Sequence, residues 1–306
     1  MQILNFGSLN IDYVYRVDRF VQPGETKSCQ DLLINSGGKG LNQSIAAAKA
    51  GTAVAHAGVF GRDGGFLIEK LRDNGVDISL MQASEGVNGH AIIQVDQTGQ
   101  NCILLYGGTN QELTEAYIEK TLEDIGDDGL VLLQNETNLV DKIITQAHER
   151  GFQVAFNAAP FTASALDYPL DLLDWLIINE VEGRQIAGCN EIDEIIPRLG
   201  ESYPNLSILL TLGKQGSRCW HESELRAVGS FVVEAVDTTA AGDTFIGYFL
   251  NGILNGQSTL DALHNASAAS ALCVQRPGAA DSIPLRKEVD HALSAGVLGH
   301  LEILHD

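Results

Sequence analysis

The residues best suited to chemistry lie in one stretch, Val236–Phe249, which reads VDTTAAGDTFIGYF. Its small residues Ala240, Ala241 and Gly242 let a ligand approach the main chain, and the free N–H groups at the start of the following helix favour a bound anion. The carboxylate of Asp243 would lie beside that anion and could act as a base for an attacking hydroxyl group. The stretch therefore indicates phosphoryl transfer, with an ordinary N-capped helix as the alternative.

A second group of candidates directly follows the predicted strands. Ligands of open α/β sheets bind outside the carboxyl ends of the strands, so polar residues at these positions are possible ligand contacts. The group consists of Asn10, Asp12, Glu136, Asn157, Asn179, Thr211 and Gly213. Each residue alone is more often a cap or turn residue, but the recurrence of the position predicts a binding edge shared by several strands.

The candidates divide into two chemical types. Amides and carboxylates, which fix sugar hydroxyls through directional hydrogen bonds, are supplied by Asn10, Asp12, Asn42 and Glu136, with Gly38 and Lys39 on the loop before Asn42. Small or hydroxyl-bearing residues, which suit a phosphate and a nucleotide, are Thr211, Gly213, Gly216 and the segment 240–243. The pattern thus predicts a sugar side and a nucleotide side.

Several common motifs are missing from the sequence. The segment Gly37–Gly40 has the wrong spacing for a G-x-x-x-x-G-K-[ST] P-loop and no Ser or Thr after its lysine. The dinucleotide pattern G-x-G-x-x-G, the zinc pattern H-E-x-x-H and the hydrolase pattern G-x-S-x-G do not occur either. The stretch 236–249 is therefore the best candidate for holding phosphate.

The predicted elements place these residues on an α/β sheet. We predict strands at 2–8, 54–59, 129–133, 152–156, 175–178 and 206–211, and two or three short antiparallel strands within 216–235. We predict helices at 41–50, 66–72, 114–124, 138–149, 180–187, 191–199, 241–254, 258–274 and 286–294. This alternation favours a three-layer α/β/α fold with a mostly parallel central sheet.

Four further strand-like segments, 13–17, 29–35, 87–95 and 101–106, predict a small β-sheet lid. Because we find no repeat, linker or break in composition, we expect one domain over residues 1–306. The lid segments, about 13–35 and 87–106, would be inserted in that domain.

Composition limits the classes of function. The 306 residues carry a formal net charge of −21, which argues against nucleic acid as a partner. The five cysteines are scattered without a C-x-x-C pair, which favours reduced thiols and a cytoplasmic location. We find neither a signal peptide nor an apolar run long enough to span a membrane, so no membrane partner is expected.

The sequence resembles the ribokinase branch of the pfkB-type carbohydrate kinases, and the resemblance runs nearly from end to end. Its N-terminal signature is Gly37-Gly38-Lys39-Gly40-Leu41-Asn42-Gln43, and its C-terminal signature is Asp237–Phe245, DTTAAGDTF. Weaker matches are the segments 7–12, 23–26, 157–160, 179–182 and 211–213. The two signatures in the right order are the specific part of the resemblance.

The resemblance implies a role for each candidate. Asp243 would be the base that accepts the proton of a primary hydroxyl, and the N–H groups of Ala240–Gly242 would form the anion hole for the transferred phosphoryl group. The sugar would be held by Asn10, Asp12, Gly38, Lys39, Asn42, Glu136 and Asp243. ATP would be held by Asn179, Thr211, Gly213, Gly216, Gly242 and Ser267.

The resemblance also implies two cations and a dimer. Glu182 would act on Mg²⁺ through its waters, and a monovalent cation, K⁺, would bind at Asp237, Thr239, Cys273, Arg276, Gly278 and Ser282. The chain departs from the family pattern at Ser267, where many members have an asparagine near the adenine, and at Pro277 and Asp281 in the cation loop. A homodimer formed through the lid is the expected assembly.

Three functions stay open on the sequence. The first is transfer of the γ-phosphate of ATP to a pentose, with D-ribose as the first choice and ribose 5-phosphate as the product. The second is a kinase of 2-deoxyribose, a nucleoside or a ketohexose on the same fold. The third is a sensor that binds sugar or nucleotide without turnover, which the presence of Asp243 disfavours because a sensor needs no base.

Overall fold

A computed structural model describes residues 2–126 and 129–298 of the chain. The predicted domain range 1–306 also includes residues 1, 127–128 and 299–306, which lie outside the described residues. No helix within the described ranges is both long enough and apolar enough to cross a membrane.

The described residues form two sheets. The strands of the larger sheet are β1 (Gln2–Phe6), β4 (Val54–Phe60), β5 (Met81–Ala83), β8 (Gly129–Gln134), β9 (Gln153–Asn157), β10 (Trp175–Asn179), β11 (Ser207–Thr211), β12 (Ser217–His221) and β13 (Glu224–Val228). Their order is β13-β12-β11-β10-β9-β8-β1-β4-β5. All pairings are parallel except those of β12 with β11 and β13. The mostly parallel central sheet is thus confirmed.

The smaller sheet has the order β3-β2-β6-β7. It consists of β2 (Asn10–Arg16), β3 (Asp31–Gly37), β6 (Gly89–Val95) and β7 (Asn101–Tyr106). The first two strands pair antiparallel, as do the last two, and β2 pairs with β6 in parallel. This small sheet is the lid expected from the sequence.

Nine α-helices are found within the described ranges. They are α1 (Lys39–Ala50), α2 (Gly65–Asp73), α3 (Glu115–Asp124), α4 (Val140–Glu149), α5 (Glu180–Ala187), α6 (Ile192–Ser202), α7 (Ala241–Leu254), α8 (Thr259–Val274) and α9 (Arg286–Ala295). Side chains of α1, α2, α7, α8 and α9 build one apolar core, and those of α3–α6 build another.

The strands supply both cores because successive side chains point to opposite faces of the sheet. On β8, Leu130 and Leu132 belong to the first core, whereas Val131 and Leu133 belong to the second. Burial on both faces explains why this strand reads as a continuous apolar run rather than an alternating one. The three-layer α/β/α architecture follows directly.

The structure corrects several predicted boundaries. β1 ends at Phe6 rather than at residue 8, β2 begins at Asn10 rather than at residue 13, and β3 ends at Gly37 rather than at residue 35. The segment 216–235 contains two strands, β12 and β13, and no third strand is found among its residues. The three-residue strand β5 was not predicted, because three residues are too few to show a periodicity.

Candidate active site

Glycines bring the end of β1 and the start of α1 into direct contact. A Cβ atom at Gly40 would lie 2.2 Å from the main-chain nitrogen of Ser8 and 2.4 Å from Cα of Gly7, so only glycine fits here. The hydroxyl of Ser8 donates to the carboxylate of Glu136 and accepts from the N–H of Gly40 at 3.1 Å. The N–H of Lys39 donates to the same carboxylate at 3.0 Å. Hydrogen bonds therefore hold the carboxylate of Glu136 at the start of α1.

Asn10 and Asp12 on β2 face this junction. The side-chain oxygen of Asn10 accepts from the amide of Asn110 at 2.8 Å, and its main-chain nitrogen would lie 2.9 Å from a Cβ atom at Gly38. The carboxylate of Asp12 occupies the space that a side chain at Gly37 would fill, since a Cβ atom there would lie 2.1 Å from its Oδ2. Burial, together with the charge of Glu136, raises the pKa of Asp12 to about 7.

Asp243 lies in the first turn of α7 and is 8% exposed. Its two carboxylate oxygens accept from two amides of α1: Oδ2 from Nδ2 of Asn42 at 3.0 Å and Oδ1 from Nε2 of Gln43 at 2.9 Å. The residue before the helix, Ala240, has a left-handed conformation with φ of 60°. The N–H of Ala241 donates to the carbonyl of Thr238 at 3.3 Å, which is a long bond.

Charges of both signs meet at Lys39. Burial opposes the charge of its ammonium group, but the carboxylates of Asp243, Glu136 and Glu182 outweigh this effect and raise the pKa of Lys39. Burial also raises the pKa of Glu136 and of Glu182. The side chains predicted for the sugar and the base thus share one electrostatic environment.

A cleft of about 370 Å³ adjoins the start of α7. Five of the residues predicted for the nucleotide line it: Thr211, Gly213, Gly216, Gly242 and Ser267. Apolar side chains, including Phe231 and Val274, complete the walls. The hydroxyl of Ser267 donates its hydrogen to the carbonyl of Gly229 at 3.1 Å. That hydrogen is therefore not free for a ligand.

Asn179 does not belong to the described lining of this cleft. Its side-chain oxygen accepts from the N–H groups of Val181 and Glu182, both at 2.9 Å, and caps α5. The carboxylate of Glu182 accepts in turn from the N–H of Asn179 at 2.9 Å. The two residues form a capping box at this end of β10.

The segments predicted for a monovalent cation are joined by Asp237. Its carboxylate accepts from the N–H and the hydroxyl of Thr239, at 2.9 and 2.6 Å, and from the N–H of Gly278 at 3.0 Å. The thiol of Cys273 lies 3.0 Å from the hydroxyl of Ser282 and 3.8 Å from the carbonyl of Thr239. The Arg276 guanidinium donates to the carboxylate of Glu288 at 2.6 Å.

The described residues contain no group of three or more His, Cys, Asp or Glu side chains arranged to hold a metal ion.

Sequence reasoning missed four residues of the site: Ser8, Gln43, Asn110 and Gln134. Ser8, Gln43 and Asn110 contact candidate residues directly, and Gln134 donates to Gln43 at 2.8 Å. Ser8 and Gln43 lie inside the quoted motifs, so their closeness in the chain to the candidate residues of those motifs was the signal that could have identified them. Asn110 and Gln134 contact partners 91 to 129 positions away, and nothing local marks them.

The chain is similar to known carbohydrate kinases. The family model described as pfkB family carbohydrate kinase matches residues 2–286. The ribokinase of Haemophilus influenzae is 34% identical over 291 residues, covering 92% of this chain and 95% of the relative.

Two solved structures show the same fold. The ribokinase of Thermotoga maritima has a TM-score of 0.85 at 32% sequence identity. The match covers 96% of this chain and 99% of the Thermotoga chain. The ribokinase of Arabidopsis thaliana, solved in complex with ribose and ATP, has a TM-score of 0.82 at 27% identity, with coverage of 95% and 98%. The chain therefore belongs to the pfkB family of carbohydrate kinases.

Proposed function

We propose that this chain transfers the γ-phosphoryl group of ATP to the primary hydroxyl of D-ribose and produces ribose 5-phosphate and ADP. The observation that carries the proposal is the position of Asp243, whose carboxylate lies between the polar groups suited to a sugar and the cleft suited to a nucleotide. The relatives named ribokinase, one of them solved with ribose and ATP, support ribose over 2-deoxyribose, a nucleoside or a ketohexose.

Asp243 is the proposed general base. It accepts the proton of the sugar hydroxyl as the oxygen forms a bond to the γ-phosphorus, and the bond from that phosphorus to the bridging oxygen of ADP breaks. The N–H groups of Ala240, Ala241 and Gly242 are the proposed donors to the transferred phosphoryl group. Ala240 and Gly242 are the freer donors, because the N–H of Ala241 already has Thr238 as a partner.

The binding roles proposed from the family pattern are these. Asn10, Asp12, Gly38, Lys39, Asn42 and Glu136 hold the sugar. Thr211, Gly213, Gly216, Gly242 and Ser267 contact the nucleotide, and their place on the cleft supports this role. Asn179 stays a proposed nucleotide contact, although its side chain caps α5.

Mg²⁺ and K⁺ are proposed as the cations of the site. Glu182, as a single carboxylate beside Lys39, suits a Mg²⁺ that keeps its waters, and that ion would supply charge neutralisation at the phosphates. For K⁺, the Asp237 carboxylate, the Ser282 hydroxyl and main-chain carbonyls of 237–239 and 276–282 are oxygen donors of the right kind. Arg276 and Cys273 would take part only through their carbonyls, because the guanidinium pairs with Glu288 and a thiol is a soft ligand.

We also propose one kinase domain with the lid inserted at about 13–35 and 87–106, a homodimer formed through the lid, and a cytoplasmic location. The five cysteines all lie in the described part of the chain and are unpaired, which supports a reducing compartment.

The test is an ADP-release assay with ATP, Mg²⁺ and a panel of ribose, 2-deoxyribose, fructose and nucleosides, with and without K⁺. Ribose-dependent ADP release is expected, with the highest kcat/KM on ribose, because a missing hydroxyl leaves buried polar groups unpaired. Asp243→Asn should lower kcat by about 100-fold or more while ribose still binds. Preference for another acceptor, binding without turnover, or full activity of Asp243→Asn would each contradict the proposal.

A further inference from the structure

A row of buried polar side chains lies behind Asp243 and takes no part in the roles proposed above. It contains Asn5, Gln43, Ser44, His56 and Gln134, all with 0% exposure. Buried amides and imidazoles are costly unless they are hydrogen-bonded, so a row of five at the centre of a protein requires an explanation.

At the His56 end of the row, the donor and the acceptor of each hydrogen bond can be assigned. Nε2 of His56 lies 3.1 Å from the carbonyl of Gly7, which can only accept, so this nitrogen carries the hydrogen. Burial lowers the pKa of His56 to about 4, so the ring is neutral and its Nδ1 accepts. The hydroxyl of Ser44, 2.8 Å from Nδ1, must therefore be the donor.

The neighbouring amides have hydrogen bonds whose donors and acceptors are fixed in the same way. Asn5 uses Nδ2 to donate to the hydroxyl of Ser44 at 2.8 Å and to the carbonyl of Gly40 at 2.9 Å, which leaves its oxygen to accept. Nε2 of Gln134 donates to that oxygen at 3.0 Å and to Oε1 of Gln43 at 2.8 Å. The oxygen of Gln43 is thereby turned toward Gln134.

The other end of the row is fixed independently. Nδ2 of Asn157 donates to the carbonyl of Ile177 at 3.1 Å, so the side-chain oxygen of Asn157 accepts. Nε2 of Gln43 donates to that oxygen at 3.0 Å and, with its other hydrogen, to Oδ1 of Asp243 at 2.9 Å. Main-chain carbonyls at both ends thus decide which atom of Gln43 faces the base.

We infer that Gln43 is a positioning residue for Asp243, and that Gln134 sets the orientation of the Gln43 amide. The inference rests on the proposed function, since it assigns a residue that acts through the proposed base. Gln43 is fully buried and donates both hydrogens inside the protein, so it orients the carboxylate without touching the sugar. Amides do not relay protons, so the row fixes a geometry and does not conduct the proton away.

Loss of this donor has a direct consequence for the base. The carboxylate becomes free to rotate, which lowers the fraction of complexes with the oxygen aimed at the hydroxyl. The other charged and titratable groups that face Asp243 are Lys39 on α1, Glu136 after β8 and Cys273 on α8, and none of them is changed by a substitution at Gln43.

The test compares Gln43→Met, which keeps the length of the side chain and removes the amide, with the wild type. We expect kcat to fall about 10-fold or more and the KM for ribose to change by less than about 2-fold, because the amide acts on the base and does not touch the sugar. The active fraction is measured by nucleotide titration, so that lost folding is not counted as lost rate. Gln134→Met leaves the donor of Gln43 in place and should produce the same changes to a smaller extent.

Gln146→Met makes the same chemical change at a half-buried position of α4, where the side chain lines a groove with residues of α3, and should leave kcat and the KM for ribose unchanged. If Gln43→Met does not fold, Gln134→Met carries the test alone. In the variants that fold, an unchanged kcat per active site, or a KM for ribose that rises as kcat falls, would overturn the inference. Failure of the wild type to release ADP with any sugar would instead overturn the proposed function.

Discussion

Among single residues, Asp12 combines a buried carboxylate with a carboxylate neighbour, Glu136. Its pKa rises from 3.8 to about 7, so between these two values the folded protein retains a proton that the unfolded chain has released. The stability of the substrate-free protein should therefore fall as the pH rises through this window, and the loss is complete only above about pH 7.

We predict that Asp12→Asn removes this dependence. Relative to the wild type, the variant should gain stability as the pH is raised from 5 to 8, because its amide has no charge to bury. The measurement is the urea midpoint at each pH, with the slope m used to check two-state unfolding. Asp96→Asn is the control, because hydrogen bonds from Thr98 lower the pKa of Asp96 and keep it ionised throughout this range. A difference between Asp12→Asn and wild type that stays constant with pH would contradict the prediction.

Among single residues, the sequence indicated the proposed base, Asp243, but not all the side chains that hydrogen-bond around it. Asp243, Asn42 and Lys39 lie in short motifs whose residue types already indicate their chemistry. Gln134 belongs to an apolar strand and acts only because β8 is adjacent to β1 in the sheet, which places it next to Asn5. Such a contact depends on strand order, and no local pattern of residues encodes strand order.

Among the elements, the packing of α1 against α7 decides whether the amides reach the base. Asn42 and Gln43 lie on α1, and Asp243 lies on α7. One turn further along α7, Gly247 lies against α1: a Cβ atom there would be 2.5 Å from Cβ of Ala46 and 2.6 Å from the main-chain nitrogen of Ala47. This glycine permits the close approach that the hydrogen bonds of Asp243 require.

We predict that Gly247→Ala separates the two helices and lowers both stability and rate. The added methyl group should cost about 1–3 kcal/mol of unfolding free energy, because its contacts include main chain that cannot move aside. The value of kcat should fall with it, because the Asn42 and Gln43 amides withdraw from Asp243. Urea denaturation and the ADP-release assay measure the two effects.

Gly200→Ala is the matched control for this prediction. Gly200 also lies inside a helix, α6, but a Cβ atom there would have no neighbour within 4 Å. The substitution should raise stability by up to about 1 kcal/mol through helix propensity and leave kcat unchanged. If Gly247→Ala behaved like Gly200→Ala, close packing of α1 on α7 would not be what aligns the base.

The elements themselves were largely predictable. The helices of the C-terminal half have clear apolar periodicity and Gly or polar residues at their ends, and the structure places them within three residues of the predicted bounds. The pairing of β2 with β6 in parallel inside the lid could not be read from the chain, because the two strands are separated by more than 70 residues and a short apolar strand does not specify its partner.

For the whole molecule, the unusual feature is the apolar surface of the lid. A row of paired residues crosses the small sheet from Ile34 through Tyr13 and Ile92 to Leu104. Ile34 is 56% exposed and Leu104 is 68% exposed, on the two edge strands. Exposed apolar edge strands tend to pair with another chain, and this supports the proposed homodimer.

We predict that Leu104→Glu converts the dimer to a monomer, because each subunit would place a buried charge in the contact. Sedimentation equilibrium at micromolar concentration measures the change. Leu225→Glu is the control, since Leu225 is 50% exposed on β13, an edge strand of the other sheet, and its variant should remain dimeric.

Two copies that each carry a net charge of −21 repel one another, so added salt should strengthen association of the wild type by screening that repulsion. A wild-type monomer at high salt, or equal loss of association in both variants, would show that the lid is not the dimer contact.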